Sequence, residues 1–147
     1  MRYGEPLQQS KIGISSAPDF LFPTLDGSFL DLLEIKLPSV DVLREDTSRP
    51  GAIYWASPVT TAIGQVVNYL HELDANQYML AQNFRNKELN LRIARPRAFI
   101  LIGRSTGWSD VKRSAFRRLN HSLHCIEVIT YDELLERARQ IAHLHAR

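Results

Sequence analysis

The chain has 147 residues, 44% of them apolar and 23% charged, with a formal net charge of +2 and a single cysteine. That is one domain's worth of globular chain, and disorder, collagen and coiled coil are poor fits to it. No apolar run approaches the roughly 20 residues of a membrane helix. The opening MRYGEPLQQS has no apolar signal core, and a lone Cys125 makes neither an internal disulfide nor a zinc site, so a cytoplasmic, reducing compartment is expected.

Residues 1–15 read as a short leading segment and 16–147 as the domain. Residues 17–25 (APDFLFPTL) and 28–37 (SFLDLLEIKL) read as strands around Asp26-Gly27, a strong hairpin signal. Residues 38–57 read as a long connection. A helix is predicted from Ser57-Pro58, with Ser57 as N-cap and Pro58 at N1. Its apolar stripe is Ile63, Val66, Val67, Leu70 and Leu73; it ends near Asp74, and a second helical stretch runs towards Phe84. Residues 98–102 (AFILI) read as a buried strand broken by Gly103. Ser109 or Asp110 caps a basic helix over 111–121, and Cys125 to Ile129 form another strand, with Cys125 read as a buried small hydrophobe. Thr130 then caps a final helix, Glu133 completing a capping box. Hairpin, helix, strand, helix, strand, helix describes an α/β domain, a mixed sheet flanked by helices.

Charge is unevenly spread. Residues 85–118 carry ten Lys/Arg against two acids, whereas residues 1–84 carry five against ten. Such a block fits either a polyanion partner or a solubilising surface.

In a hairpin turning on Asp26-Gly27, Asp19 faces Glu34, with Cβ atoms about 4.5–5.5 Å apart. Lys36 shares that face with them and with Leu21, Leu30 and Leu32, leaving Phe20, Phe22, Phe29, Leu33 and Ile35 as the expected core face. Facing carboxylates repel unless compensated. Lys36 could neutralise them as an ion-pair cluster, or a hard divalent cation could bridge them, since magnesium is held by one or two carboxylates plus water and phosphate oxygens. Gln65 and Tyr69 stand one helical turn apart, off the apolar stripe, so they share a face of their own. The five histidines (71, 121, 124, 143 and 145) give no metal-site spacing with a third ligand and read as surface or structural residues.

Pro18-Asp19, then Glu34-Ile35-Lys36, then Gln65-Val66-Val67-Asn68-Tyr69 together resemble the PD-(D/E)xK nucleases with the Q-h-x-x-Y motif of RecB-like members. The stretches PDFLF, LLEIKLP, WASPVTTAIGQVVNYLHEL, RPRAFILIGR and ITYDELLERA are similar to the Shedu nuclease domain of bacterial anti-phage defence. The resemblance implies a restriction-endonuclease-like fold and a DNA endonuclease dependent on Mg2+ or Mn2+. It implies Asp19, Glu34 and the Ile35 backbone carbonyl as metal ligands, Lys36 assisting the water, and Gln65 in the site. Tyr69, Arg92, Arg95, Arg97, Arg104, Lys112, Arg113, Arg117 and Arg118 are then the expected DNA contacts. No membrane association is expected, and a homo-oligomer is plausible by resemblance alone. Relative to that family the stretch before Pro18 shows no helical periodicity, so the usual N-terminal helix is expected to be absent, by truncation or in a natural short form. A non-catalytic nucleic-acid-binding or assembly module on the same fold is the alternative.

Overall fold

A computed structural model describes residues 7–8, 17–24 and 29–145. The Asp26-Gly27 turn lies outside the described residues. Among them are seven strands and four helices: β1 (Leu7–Gln8), β2 (Phe20–Pro23), β3 (Leu30–Ile35), β4 (Leu43–Glu45), β5 (Ile53–Trp55), α1 (Ser57–Ala75), α2 (Gln77–Asn86), β6 (Ala98–Leu101), α3 (Asp110–His121), β7 (Ile126–Ile129) and α4 (Tyr131–His145). Five strands form a mixed sheet in the order β1-β2-β3-β6-β7. The β1-β2 and β2-β3 pairs are antiparallel, and β3-β6 and β6-β7 are parallel. Parallel neighbours need long crossovers, and α3 supplies the one between β6 and β7. No described helix is long and apolar enough to cross a membrane.

The β2-β3 register is the predicted one, from Phe20↔Leu33 to Pro23↔Leu30. The core face is not. Leu21, Leu30, Leu32 and Glu34 are buried, while Phe20, Phe22 and Leu33 are half-buried and Phe29 and Ile35 exposed. Both faces of the hairpin are apolar, so alternation alone could not choose between them. Packing chooses: Leu32, Ala98, Ile100, Ile102, Ile126 and Val128 form one core with Val59, Ala62, Val66 and Leu73 of α1 and Leu80 and Phe84 of α2. Each fully buried Leu, Ile or Val stabilises by about 1.5–3 kcal/mol. Val67, placed in the predicted stripe, is exposed, and Val59 and Ala62 take its place in the core.

The expected connection over 38–57 holds a second, two-stranded antiparallel sheet, β4-β5. Its turn is built by Asp46, whose carboxylate accepts from Ser48 N–H (2.9 Å) and Ser48 Oγ (2.6 Å). Gly51 supplies a φ of +83° that other residues rarely adopt.

The N-cap of α1 is Ala56 rather than Ser57, with no side-chain cap bond. Ser109 caps α3 as expected, accepting from Lys112 N–H. Thr130 accepts from Glu133 N–H at 3.4 Å, but the Glu133 carboxylate binds Arg137 instead of returning to close the capping box. Cys125 is exposed and stands at φ +60°, so its strand begins one residue later, at Ile126.

Candidate active site

β2 begins one residue after Asp19, so the hairpin ladder stops at Phe20↔Leu33. Leu32 N–H and Lys36 N–H are bonded to the β6 side, at Arg97 O and Leu101 O. Strand alternation therefore turns the Ile35 N–H and C=O the other way, towards β2. No strand residue reaches that amide. The Asp19 side chain does, Oδ2 accepting from Ile35 N–H at 2.7 Å. Asp19 thus continues the hairpin with its carboxylate, next to the edge onto which the Ile35 carbonyl opens.

Glu34 is the adjacent residue on the helix-covered face, its side chain only 6% exposed. Lys36 Nζ reaches in from the rim and donates to Glu34 Oε1 at 2.7 Å, with its own side chain 30% exposed. The other oxygen, Glu34 Oε2, is buried with no hydrogen-bond partner. Gln65 Oε1 on α1 is in the same condition. Leaving a buried acceptor unpaired costs about 1–3 kcal/mol, more for a charged one. A carboxylate oxygen and an amide oxygen, each buried and lacking a hydrogen-bond donor, are oxygens of the kind a hard cation takes. The fit of these residues to magnesium or manganese rests on that observation.

Tyr69, one turn beyond Gln65, senses both acids. Burial raises its phenol pKa above the ordinary 10.0, and the negative charges of Glu34, Asp19 and Glu72 raise it further. Asp19, Glu34, Lys36 and Tyr69 therefore belong to one neighbourhood, at the end of the sheet where β3 stops, and Gln65 stands one helical turn before Tyr69 on α1. Gln65 and Tyr69 flank the buried side of α1 rather than standing on a separate face.

The basic residues are divided by the fold. Because β6 runs parallel to β3, with Leu32 opposite Ala98 and Ile35 opposite Leu101, Arg92, Arg95 and Arg97 precede β6 at the end of the sheet away from Glu34. Arg97 is also committed to Asp31: its N–H (2.9 Å) and Nη2 (3.1 Å) hold that buried carboxylate. Arg104 follows β6 and Lys112 opens α3, at the same end as Lys36. Arg113, Arg117 and Arg118 line a groove of about 1190 Å³ together with Trp108 and Phe116, and its α4 side carries Glu133, Glu136 and Arg137. All five histidines are exposed, and no group of three or more His, Cys, Asp or Glu with metal-site geometry occurs among the described residues.

One contact at this end had no local signal in the sequence. Tyr131, the first residue of α4, donates its hydroxyl to the Lys36 backbone carbonyl at 2.7 Å across 95 residues.

The chain is thus an α/β protein whose mixed sheet carries two acids and a lysine at one end. Residues 4–135 match the family model described as Shedu protein SduA, C-terminal, and the chain belongs to that family. No curated protein matches the chain.

Proposed function

We propose that this domain is a metal-dependent DNA endonuclease of bacterial anti-phage defence. The observation that carries the reading is Glu34, buried, paired with Lys36 through Oε1 and left with a donorless Oε2, with Gln65 Oε1 on α1 likewise buried and donorless. Asp19, Glu34 and the Ile35 carbonyl would hold Mg2+ or Mn2+. The bound ion would lower the pKa of a water and offset charge on the phosphoryl oxygens. Lys36, anchored on Glu34 Oε1 and partly open to solvent, orients the attacking water and offsets charge that develops at phosphorus. Gln65 contributes a polar oxygen on the helix side, and Tyr69 a hydroxyl whose proton is held firmly beside two carboxylates. Arg104 and Lys112, at the same end, suit a DNA backbone.

The Lys36–Glu34 ion pair also fits a binding module in which lysine merely neutralises a buried acid. Supercoiled-plasmid nicking with Mg2+ or Mn2+, run beside a gel shift of the same DNA, separates the two readings. Nicking by wild type, lost in Lys36→Ala with the gel shift retained, is the expected result. Binding without nicking under either metal favours the binding module.

A further inference from the structure

Apart from Arg104, the segments Ile102-Gly103-Arg104 and Thr130-Tyr131-Asp132 have no part in the chemistry described so far, yet they meet at the end of the sheet that carries Lys36. Gly103 N–H donates to Leu37 O, and Tyr131 N–H donates to Gly103 O. A Cβ on Gly103 would collide with the Val42 side chain and the Val40 carbonyl, and φ there is +60°, so the β6 exit lies tight against the loop that leaves β3. Asp132 locks the other side: its carboxylate accepts from Ser105 N–H (2.9 and 3.0 Å) and Ser105 Oγ (2.6 Å), and Ser105 Oγ lies 3.2 Å from the buried Thr130 hydroxyl. Tyr131 stands between these anchors with its ring directed at β3.

Lys36 is the residue on which this converges. Its N–H is held by Leu101 O, and its C=O accepts the Tyr131 hydroxyl. It lies just beyond the last residue of β3, where a strand end would otherwise fray. With both backbone groups engaged, the origin of its side chain is set, and with it the position of Nζ relative to Glu34.

We propose that Tyr131 is a positioning residue for Lys36. Its hydroxyl, braced by the Gly103 and Asp132 contacts, holds the β3 end so that the ammonium stays at the carboxylate. The inference rests on the nuclease reading for its catalytic consequence, but not for its structural one.

The test is Tyr131→Phe, which removes one oxygen and leaves the ring, in the full chain. Misplacing a reacting group by about 1 Å can cost on the order of a hundredfold, so kcat for plasmid nicking is expected to fall roughly ten- to hundredfold with KM and the gel shift unchanged. In parallel, 15N relaxation of the Lys36 ammonium is expected to show greater mobility in the variant. An unchanged ammonium overturns the proposal, and so does a more mobile ammonium with unchanged kcat in an active enzyme. A lower melting temperature with the same kcat per folded molecule makes the bond merely structural and overturns it too. If wild type never nicks, the nuclease reading fails, and the relaxation measurement still decides whether Tyr131 holds Lys36. Should the variant not fold, the wild-type Tyr131 hydroxyl proton serves: protection from solvent exchange is expected, and free exchange overturns the proposal.

Discussion

Asn120 grips the open edge of β7 at Val128. Its Nδ2 donates to Val128 O at 2.9 Å, and its Oδ1 accepts from Val128 N–H at 2.8 Å. One amide side chain on the last turn of α3 thus supplies both partners that a further strand would have offered. An edge strand of four residues, IEVI, is otherwise a template for pairing with another chain.

Asn120→Ala is therefore expected to lower stability by about 1–3 kcal/mol, through two unpaired backbone groups. Asn120→Asp should cost a similar amount, because a carboxylate can take the Val128 amide but repels the Val128 carbonyl. Urea denaturation measures both. An aspartate variant as stable as wild type would mean that water serves this edge equally well.

Gly103→Ala is expected to destabilise by more than about 1–2 kcal/mol, since a left-handed φ is added to a collision with the Val40–Val42 loop. Gly51→Ala, at φ +83° but with open space around it, should cost only the conformational part. Comparing the two melting temperatures separates strain from collision, and equal losses would argue that the collision relaxes freely.

Divalent binding should appear as thermal stabilisation. At a hundred times Kd, a ligand that binds only the folded state contributes about 2.7 kcal/mol. Mn2+ should raise the wild-type melting temperature, and Asp19→Asn and Glu34→Gln should each abolish the shift. A shift that survives in both variants places the ion elsewhere.

Desolvation works to raise the Asp132 pKa, but the Ser105 hydroxyl and amide and the Thr106 hydroxyl outweigh it and hold it below the ordinary 3.8. A depressed folded-state pKa means stability that is fully present above the unfolded value and lost as pH falls through the folded one. Wild type should therefore lose stability progressively below about pH 4, and Asp132→Asn should be less stable at neutral pH with a flatter acid limb. Parallel acid limbs in the two proteins would remove Asp132 from the account.

DNA affinity should follow the division of the basic block. Each phosphate neutralised adds roughly 0.9 to the magnitude of the log–log salt slope on duplex DNA. Replacing Arg104, Lys112 and Arg113 by Ala should reduce that magnitude by about two to three. The same change at Arg92, Arg95 and Arg97 should leave it nearly unaltered. The reverse order would put the DNA at the far end of the sheet, away from Glu34.

The hairpin register could be read because a two-residue turn dictates every pair that follows it, and Phe20↔Leu33 obeys. Which face is inside could not, because Leu21, Leu30 and Leu32 on one side are matched by Phe20, Phe22 and Leu33 on the other, and only packing against α1 and α2 breaks the tie. The β4-β5 sheet was missed although its turn carries Asp46-Thr47-Ser48 and Pro50-Gly51, both local signals with a mechanism. Three-residue strands are too short for periodicity to register. Spacing and resemblance point to Asp19, Glu34, Lys36, Gln65 and Tyr69, and the structure brings Asp19, Glu34, Lys36 and Tyr69 near one another. Tyr131 enters the sequence reading only within ITYDELLERA, since nothing local reveals a partner 95 residues away.

That separation has a consequence for the order in which the domain is made. The β3-β6 pair joins residues 66 apart, as the Asp31–Arg97 contact does, and the brace on Lys36 arrives only with residue 131. A chain emerging from the ribosome carries both acids and the lysine, the latter 95 residues before Tyr131, with no sheet yet to hold them in place. The cluster acquires its geometry only when nearly the whole domain has been synthesised and closed, so a nascent chain carries the residues without the arrangement.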